Sequence, residues 1–115
     1  MSKVRIYVSR DPKTGELHFR DSEGHEGDGS IITEVHHGDE VEWVLGEGID
    51  EILGIRPASG SQNIFRGEVR KNGNGNWKGT VDECAKGSEE YVIEYRIGNA
   101  MAQATRPRLK VKPPR

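Results

Sequence analysis

Apolar and polar residues alternate with a period of two in most segments of the chain. Val4, Ile6 and Val8 alternate with charged or polar neighbours at the start, and "EVEWVL", "EYVIEYRI" and "RPRLKVK" repeat the pattern. This period is typical of β-strands with one buried face. Turn-forming stretches such as "DPKTG" and "KNGNGN" separate the strands. The pattern predicts about eight strands and no helix, a spacing typical of a sandwich or small barrel.

The length of 115 residues predicts one domain spanning residues 1–115 with a single core. Hydrophobic residues make up 32% of the chain and charged residues 31%, so the core must be thin and efficiently patterned. The alternation assigns these residues to it: Val4, Ile6, Val41, Trp43, Ile93, Tyr95 or its neighbours, Leu109 and Val111.

The segment "VHHGDEVEWVLG", residues 35–46, places two adjacent histidines before a strand. Val41, Trp43 and Leu45 share one face of that strand. Neighbouring strand residues point to opposite faces, so His36 and His37 could not easily share a metal ion. We interpret both histidines as turn residues.

Two segments resemble strands of the cupredoxin-like β-sandwiches. "VHHGDEVEWVL" resembles the family's "V-x-x-G-D-x-V-x-W-x" strand, and "EYVIEYRI" followed by "RPRLKVK" is similar to its "Y-x-Y-x-C" strand, site loop and last strand. The resemblance covers most of the chain. It implies an all-β, antiparallel Greek-key β-sandwich of about eight strands, cupredoxin-like or immunoglobulin-like.

The same resemblance implies a copper site at positions that hold other residues here. It would place a histidine near Glu51, the cysteine at Ile97, and a second histidine and a methionine in the following loop, which offers Met101 alone. A blue-copper centre needs a thiolate and two imidazoles. We therefore expect a copper-free member of this fold with no cofactor.

Trp77 follows the polar loop "KNGNGN" and is one candidate binding residue. An exposed Trp77 could stack on a sugar or a base, with Asn74 and Asn76 as hydrogen-bonding groups. The alternative, which we favour, is that Trp77 covers the end of the core.

A basic row at Arg106, Arg108 and Lys110 is a second candidate, for nucleic acid or an acidic partner. The alternative is an edge strand whose charges block aggregation. We favour the edge strand, and a sequence pI near 6.1 disfavours nucleic acid.

The segment "DSEGHEGDGS", residues 21–30, is acidic and rich in glycine. Such carboxylates can hold a hard cation, but Glu26 stands where the EF-hand pattern requires glycine. A solvated loop is our interpretation, with no metal. The alternative is a metal site built from Asp21, Glu23, His25, Asp28 and His36.

No catalytic motif stands out, since "SGSQN" lacks the G-x-S-x-G pattern of a nucleophile elbow. Cys84 is the single cysteine, so no internal disulfide can form. We expect a non-catalytic interaction module that binds a protein or another macromolecule. The rival hypothesis is a small ligand- or metal-binding protein. No apolar run spans a membrane, and the expected compartment is the cytoplasm, with a mature periplasmic chain as the alternative.

Charge is distributed unevenly along the chain. Residues 16–51 hold twelve acids and one base, Arg20, whereas residues 105–115 hold five bases and no acid. Contact between such regions on two molecules would be screened by salt. We therefore expect a monomer, or at most a weak, salt-sensitive dimer.

Overall fold

The computed structural model describes residues 3–27, 31–58, 60–104 and 107–112, which form eleven strands and no helix. The all-β prediction is confirmed. None of the described residues belongs to a helix that could cross a membrane. The strands are β1 (Lys3–Arg10), β2 (Leu17–Asp21), β3 (Glu26–Gly27), β4 (Ile32–Val35), β5 (Glu40–Leu45), β6 (Glu51–Pro57), β7 (Arg70–Lys71), β8 (Trp77–Thr80), β9 (Ser88–Ile97), β10 (Ala100–Ala104) and β11 (Arg108–Val111).

The predicted number of eight strands was too low. The three additional strands are β3, β7 and β10. Strands β3 and β7 have two residues each and pair with β2 and β8 in segments that were interpreted as loops. The sequence of β10, "AMAQA", has no apolar–polar alternation between charged residues, so the period-two criterion passes over it.

The first sheet has the order β3-β2-β1-β5-β8-β7. Strands β1 and β5 run parallel, with Val4 opposite Val41 and Ile6 opposite Trp43, and the other pairs are antiparallel. The prediction of a wholly antiparallel sandwich is therefore wrong at this pair. A parallel pair joins strands that are distant in sequence, which local patterning does not indicate.

The second sheet is built around β9. Four of its strands have the order β10-β9-β11-β4, and the fifth strand, β6, also pairs with β9. Strand β11 runs parallel to β4, with Leu109 opposite Thr33, and antiparallel to β9. Strand β6 pairs with β9 through a register shift between Ile52 and Gly54. This sheet is also mixed, and β10 lies at its end.

One hydrophobic core combines the inward faces of both sheets. All eight predicted core residues are buried. Trp43 is fully buried and makes edge contacts with Phe65 and Tyr91, at ring-centroid distances of 5.7 Å and 5.4 Å. The predicted register of β5 is confirmed, because a shift by one residue would have turned Trp43 to solvent.

The two adjacent histidines lie in the turn between β4 and β5, as predicted. The backbone N–H of His36 donates to Asp39 Oδ2 at 2.9 Å, and Gly38 has a positive φ of 81°. The ring of His37 lies elsewhere, with Nε2 at 2.7 Å from the carbonyl oxygen of Ala85. Each histidine therefore has its own partner in the fold.

Candidate functional site

The outer edge of β10 is the candidate interaction site. The strand follows a tight turn in which Gly98 has a φ of 57° and its carbonyl accepts a hydrogen bond from the Arg96 guanidinium at 2.7 Å. From there β10 runs antiparallel to β9, with Ala100 opposite Ile97 and Ala104 opposite Ile93. Its other side has no strand partner in the described part of the chain. That side presents a row of backbone N–H and C=O groups.

The side chains of residues 100–103 offer no obstacle to pairing at this edge. Residues 100–103 are all exposed. Met101 is 76% exposed, and of the two large hydrophobic residues that are exposed in the described ranges it is the more exposed one. The strand contains no charged residue and no proline. Lysine, proline, bulges and short length are the usual devices that prevent an edge strand from pairing with another chain. Strand β10 has five residues and contains no lysine, no proline and no bulge.

The other strands at sheet margins carry such devices. Strand β6 contains Arg56, Pro57 and the register shift between Ile52 and Gly54. Strands β3 and β7 have two residues each. Strand β4 has four residues, and its Glu34 carboxylate lies 3.4 Å from Lys112 Nζ. The contrast identifies β10 as the least protected edge of the described strands.

The predicted site around Trp77 contains side chains with internal partners. The indole N–H of Trp77 donates to the carbonyl of Ile52 at 3.0 Å, and the half-buried ring packs against the core. Asn76 Oδ1 accepts the Leu45 N–H at 3.0 Å. Asn74 is exposed at the tip of the loop. The structure thus gives Trp77 and Asn76 structural roles, and their use in binding stays a prediction.

Asn76 also belongs to a polar cluster around Glu42, a buried carboxylate on the outer side of β5. Lys3 Nζ and Arg5 Nε each lie 3.4 Å from Glu42 Oε1, and Asn76 Nδ2 donates to Oε2 at 3.4 Å. Burial raises the pKa of Glu42, but the Asn76 hydrogen bond and Lys3, together with Lys78, outweigh it and lower the pKa overall. The cluster stabilises the charged form of Glu42 and attaches the loop before β8 to β5.

The prediction that the basic row forms an edge strand is wrong. Strand β11 lies between β9 and β4, with Leu109 and Val111 buried as predicted. Arg108 and Lys110 are exposed, and Arg108 lies 3.8 Å from Glu90 Oε2 on β9. Arg106 lies outside the described residues. The basic side chains project from the face of the sheet, where they cannot block an edge.

Three residues of the alternative metal site come together. Potential ligand atoms of Asp21, Glu23 and His25 lie within 4.8 Å of one another. Asp28 is outside the described residues, and the His36 ring lies 3.7 Å from Asp39 Oδ2.

The Asp21 carboxylate in this group already accepts several hydrogen bonds. Its donors are the backbone N–H groups of Glu23 at 3.0 Å and His25 at 2.9 Å, and the Thr33 hydroxyl at 2.8 Å. The His25 ring Nδ1 lies 2.9 Å from Asp21 Oδ2. Burial, followed by the neighbouring Asp21, raises the pKa of Glu23. These contacts explain the cluster as a turn held by a buried aspartate.

Sequence reasoning missed another buried carboxyl group, that of Glu89. Glu89 is 1% exposed and lies on β9, two residues before the fully buried Tyr91. The signal was present, because Glu89, Tyr91, Ile93 and Tyr95 alternate along "SEEYVIEYRI" and therefore share one face. That face is the core face, so an acid in this series had to be buried.

Comparisons with known proteins give a fold and no family. No family model matches the sequence, and no curated protein is similar to it. Among solved structures, the chain is similar to the inclusion body protein PixA from Burkholderia cenocepacia, with a TM-score of 0.69 at 12% sequence identity. The similarity covers 96% of this chain and 96% of that chain. The two proteins therefore share an all-β fold over nearly their whole lengths.

Proposed function

We propose that this protein is a non-catalytic interaction module that associates with a second copy of itself through the outer edge of β10. The single observation that carries the proposal is the five-residue edge that lacks charge, proline and a bulge. An exposed edge of this kind binds another strand through backbone hydrogen bonds.

A second copy is the partner that this edge fits best. Two identical strands can pair antiparallel about a two-fold axis, so that each copy contributes the same surface. Because "AMAQA" has no charge, pairing with itself brings no like charges together. A register centred on Ala102 places Met101 of each copy opposite Gln103 of the other and removes part of the exposed methionine from water.

The structural neighbour supports this choice of partner. That protein is named an inclusion body protein, a name compatible with the self-association that we propose for this chain. The expectation of a monomer, or at most a weak, salt-sensitive dimer, considered only contact between the acidic residues 16–51 and the basic residues 105–115 of two molecules. Since β11 is internal to its sheet, backbone pairing at β10 takes the place of that charge-based contact.

We also propose that the fold is a copper-free, cupredoxin-like Greek-key sandwich. Three positions where the resemblance places copper ligands converge at one end of β9. Glu51 on β6 and Met101 on β10 both lie opposite Arg96, the residue before Ile97. Glu51 instead receives Lys71 Nζ at 2.6 Å and Arg96 at 3.4 Å. The convergence supports the resemblance, and an ion-pair cluster occupies the place of the ligands.

Sedimentation velocity across a concentration series tests the association. As the concentration rises, the sedimentation coefficient of the wild type should shift from the monomer value toward the dimer value. The shift should persist in molar salt because strand pairing is not an ion-pair contact. The double variant Met101→Lys/Gln103→Lys should stay monomeric, since like charges would lie opposite each other in the paired edge. The double variant Thr14→Lys/Asn74→Lys adds the same charge at exposed positions elsewhere and should behave like the wild type.

Two outcomes contradict the proposal. One is a wild type that is monomeric at every concentration. The other is a dimer that the β10 lysines leave intact. A dimer that dissociates in molar salt but tolerates these lysines would indicate contact between the basic row and the acidic segment.

A further inference from the structure

A cleft of about 320 Å³ lies between β6 and the segment of residues 63–69, with Glu89 on its wall. Its apolar lining consists of Ile55, Pro57, Phe65 and Val69. The space equals roughly ten water molecules at ~30 Å³ each, enough for a small organic molecule. The cleft is separate from the β10 edge, which contributes no residue to its lining.

The wall opposite β6 is held in place by backbone contacts. Phe65 forms an isolated bridge with Val81, and the Arg66 N–H donates to the Thr80 carbonyl at 2.8 Å. The segment also packs closely on Gly79, where an added Cβ would lie 2.8 Å from Phe65 and 3.0 Å from Val69. The absence of a side chain at Gly79 therefore lets this wall pack against β8. The cleft is formed before any ligand arrives.

Glu89 is a buried acid in this cleft, and the protein gives it little support. Within the described part of the chain its carboxyl accepts one hydrogen bond, from the Ile64 N–H to Oε1 at 2.8 Å. Burial raises its pKa to about 7, and the Ile64 hydrogen bond offsets only part of that effect. An ionised carboxylate removed from water is costly unless a charge or several donors compensate it.

The charges around the cleft favour a cationic ligand. Arg56 lines the cleft, but its guanidinium is bonded to Glu94. Glu68 is the other charged residue of the lining, and it is exposed. With Arg56 already paired, Glu89 and Glu68 leave an excess of negative charge. A ligand that combines an apolar chain with a positive head would bury the chain against Ile55 and Phe65 and compensate Glu89.

We propose that this cleft binds a primary alkylammonium group, with Glu89 as its counter-ion and the apolar walls holding the alkyl chain. The group could belong to a free amine or to a lysine side chain. This inference is independent of the proposed self-association, because no residue of β10 lines the cleft. The Met101→Lys/Gln103→Lys variant should therefore bind the same ligand with the same affinity as the wild type.

The probes are n-butylammonium and its neutral analogue n-butanol, with binding followed by amide chemical shifts in NMR titrations. Butylammonium should bind with a Kd on the order of 1 mM and shift the resonances of Ile64 and Phe65. Glu89→Gln keeps the shape and the acceptor for the Ile64 N–H but removes the charge. It should weaken butylammonium binding about tenfold or more while leaving butanol binding unchanged.

Glu68→Gln is the matched control, because it removes a charge from the same lining at an exposed position. It should weaken binding much less than Glu89→Gln does. Equal losses in both variants would overturn the role of Glu89, and so would butylammonium binding that Glu89→Gln leaves unchanged. Failure of the wild type to bind butylammonium would overturn the site itself.

The pH dependence gives a further test. Between pH 6 and pH 8 butylammonium affinity should rise roughly tenfold, because Glu89 ionises through a pKa of about 7 while the amine keeps its proton. The other charged groups of the lining are Arg56, which is paired with Glu94, and Glu68. Tyr91 on β9 is a fully buried titratable group that interacts electrostatically with Glu89. The rise should survive in Glu68→Gln and vanish in Glu89→Gln; its persistence in Glu89→Gln would overturn the assignment.

A blocked lysine, Nα-acetyl-lysine methylamide, separates the two sources of the ammonium group. Tighter binding than butylammonium would assign the cleft to lysine side chains. Weaker binding would assign it to free amines. Either result supports the alkylammonium chemistry, and failure of both cations to bind overturns it.

Discussion

Asp21 and Glu89 are both buried carboxyl groups, at 4% and 1% exposure, but the fold surrounds them differently. Asp21 receives two backbone N–H groups, the Thr33 hydroxyl and the His25 ring. Glu89 receives one N–H, that of Ile64. Thr33 belongs to the second sheet and Asp21 to the first, so the Asp21 network also joins the two sheets.

This difference separates a structural acid from a candidate binding acid. The donors around Asp21 replace the water that the carboxylate lost, which makes burial of the charge tolerable. Glu89 lacks that replacement, and its pKa rises to about 7 because the charged form is poorly stabilised. Burial alone therefore does not indicate function. A buried acid beside a cleft, with donors missing, is the stronger indication.

The largest expected effect is that of Asp21→Ala. It would leave the Thr33 hydroxyl and the N–H groups of Glu23 and His25 without their acceptor. The free energy of unfolding should fall by about 3–5 kcal/mol, measured by urea denaturation. Glu47→Ala, at an exposed position, should change it by less than ~0.5 kcal/mol. A loss below ~1 kcal/mol for Asp21→Ala would remove the distinction between the two acids.

Glu89→Gln should have the opposite sign. The folded pKa of about 7 lies above the unfolded value near 4.5, so the folded state holds a proton that the unfolded state has released between those pH values. Wild-type stability from this group is complete below pH ~4.5 and is lost as the pH rises to ~7. At pH 8 Glu89→Gln should therefore raise the free energy of unfolding by up to about 3 kcal/mol.

At pH 4 the same substitution should change stability little, because Glu89 is protonated in both states. Urea denaturation of wild type and variant at the two pH values measures this difference. Glu68→Gln, at an exposed position, should show no such pH-dependent gain. If Glu89→Gln destabilises the protein at pH 8, the Glu89 carboxylate has a partner that compensates its charge.

The strands with clear alternation could be predicted from the sequence, and so could the core. Trp43 and Leu109 lie in such strands, and both are fully buried. Hydrophobic periodicity is local, so it identifies a buried face without naming the neighbouring strand. The internal position of β11 depends on its pairing with β4, about 75 residues earlier in the chain, and no pattern within "RPRLKVK" encodes that contact.

The candidate sites were harder to predict for two different reasons. Strand β10 has small and neutral residues in place of alternation, and that same composition makes it an open edge. Glu89 did follow the alternation of β9, but acids are commonly exposed, so its place in the core series was overlooked. Asp21 was considered only as one ligand of the alternative metal site. Its structural role depends in part on Thr33, which lies twelve residues later and in the other sheet.

The smallest expected effect concerns His25, a half-buried member of the Asp21 network. Its side chain is 41% exposed and its ring Nδ1 lies 2.9 Å from Asp21 Oδ2. His25→Ala removes that contact and leaves the Thr33 hydroxyl and two N–H groups on Asp21. The free energy of unfolding should fall by about 0.5–1 kcal/mol, because a partly solvated contact adds little to an acid already supplied with donors.

Zinc sharpens the comparison further. If Asp21 is saturated by the fold, ZnCl₂ should leave the thermal midpoints of wild type and His25→Ala unchanged, since a ligand that binds the folded state would raise the midpoint. A midpoint that zinc raises in the wild type and not in His25→Ala would show that Asp21, Glu23 and His25 hold a metal ion. Asp21 would then be a ligand despite its hydrogen bonds, and a count of donors would no longer separate it from Glu89.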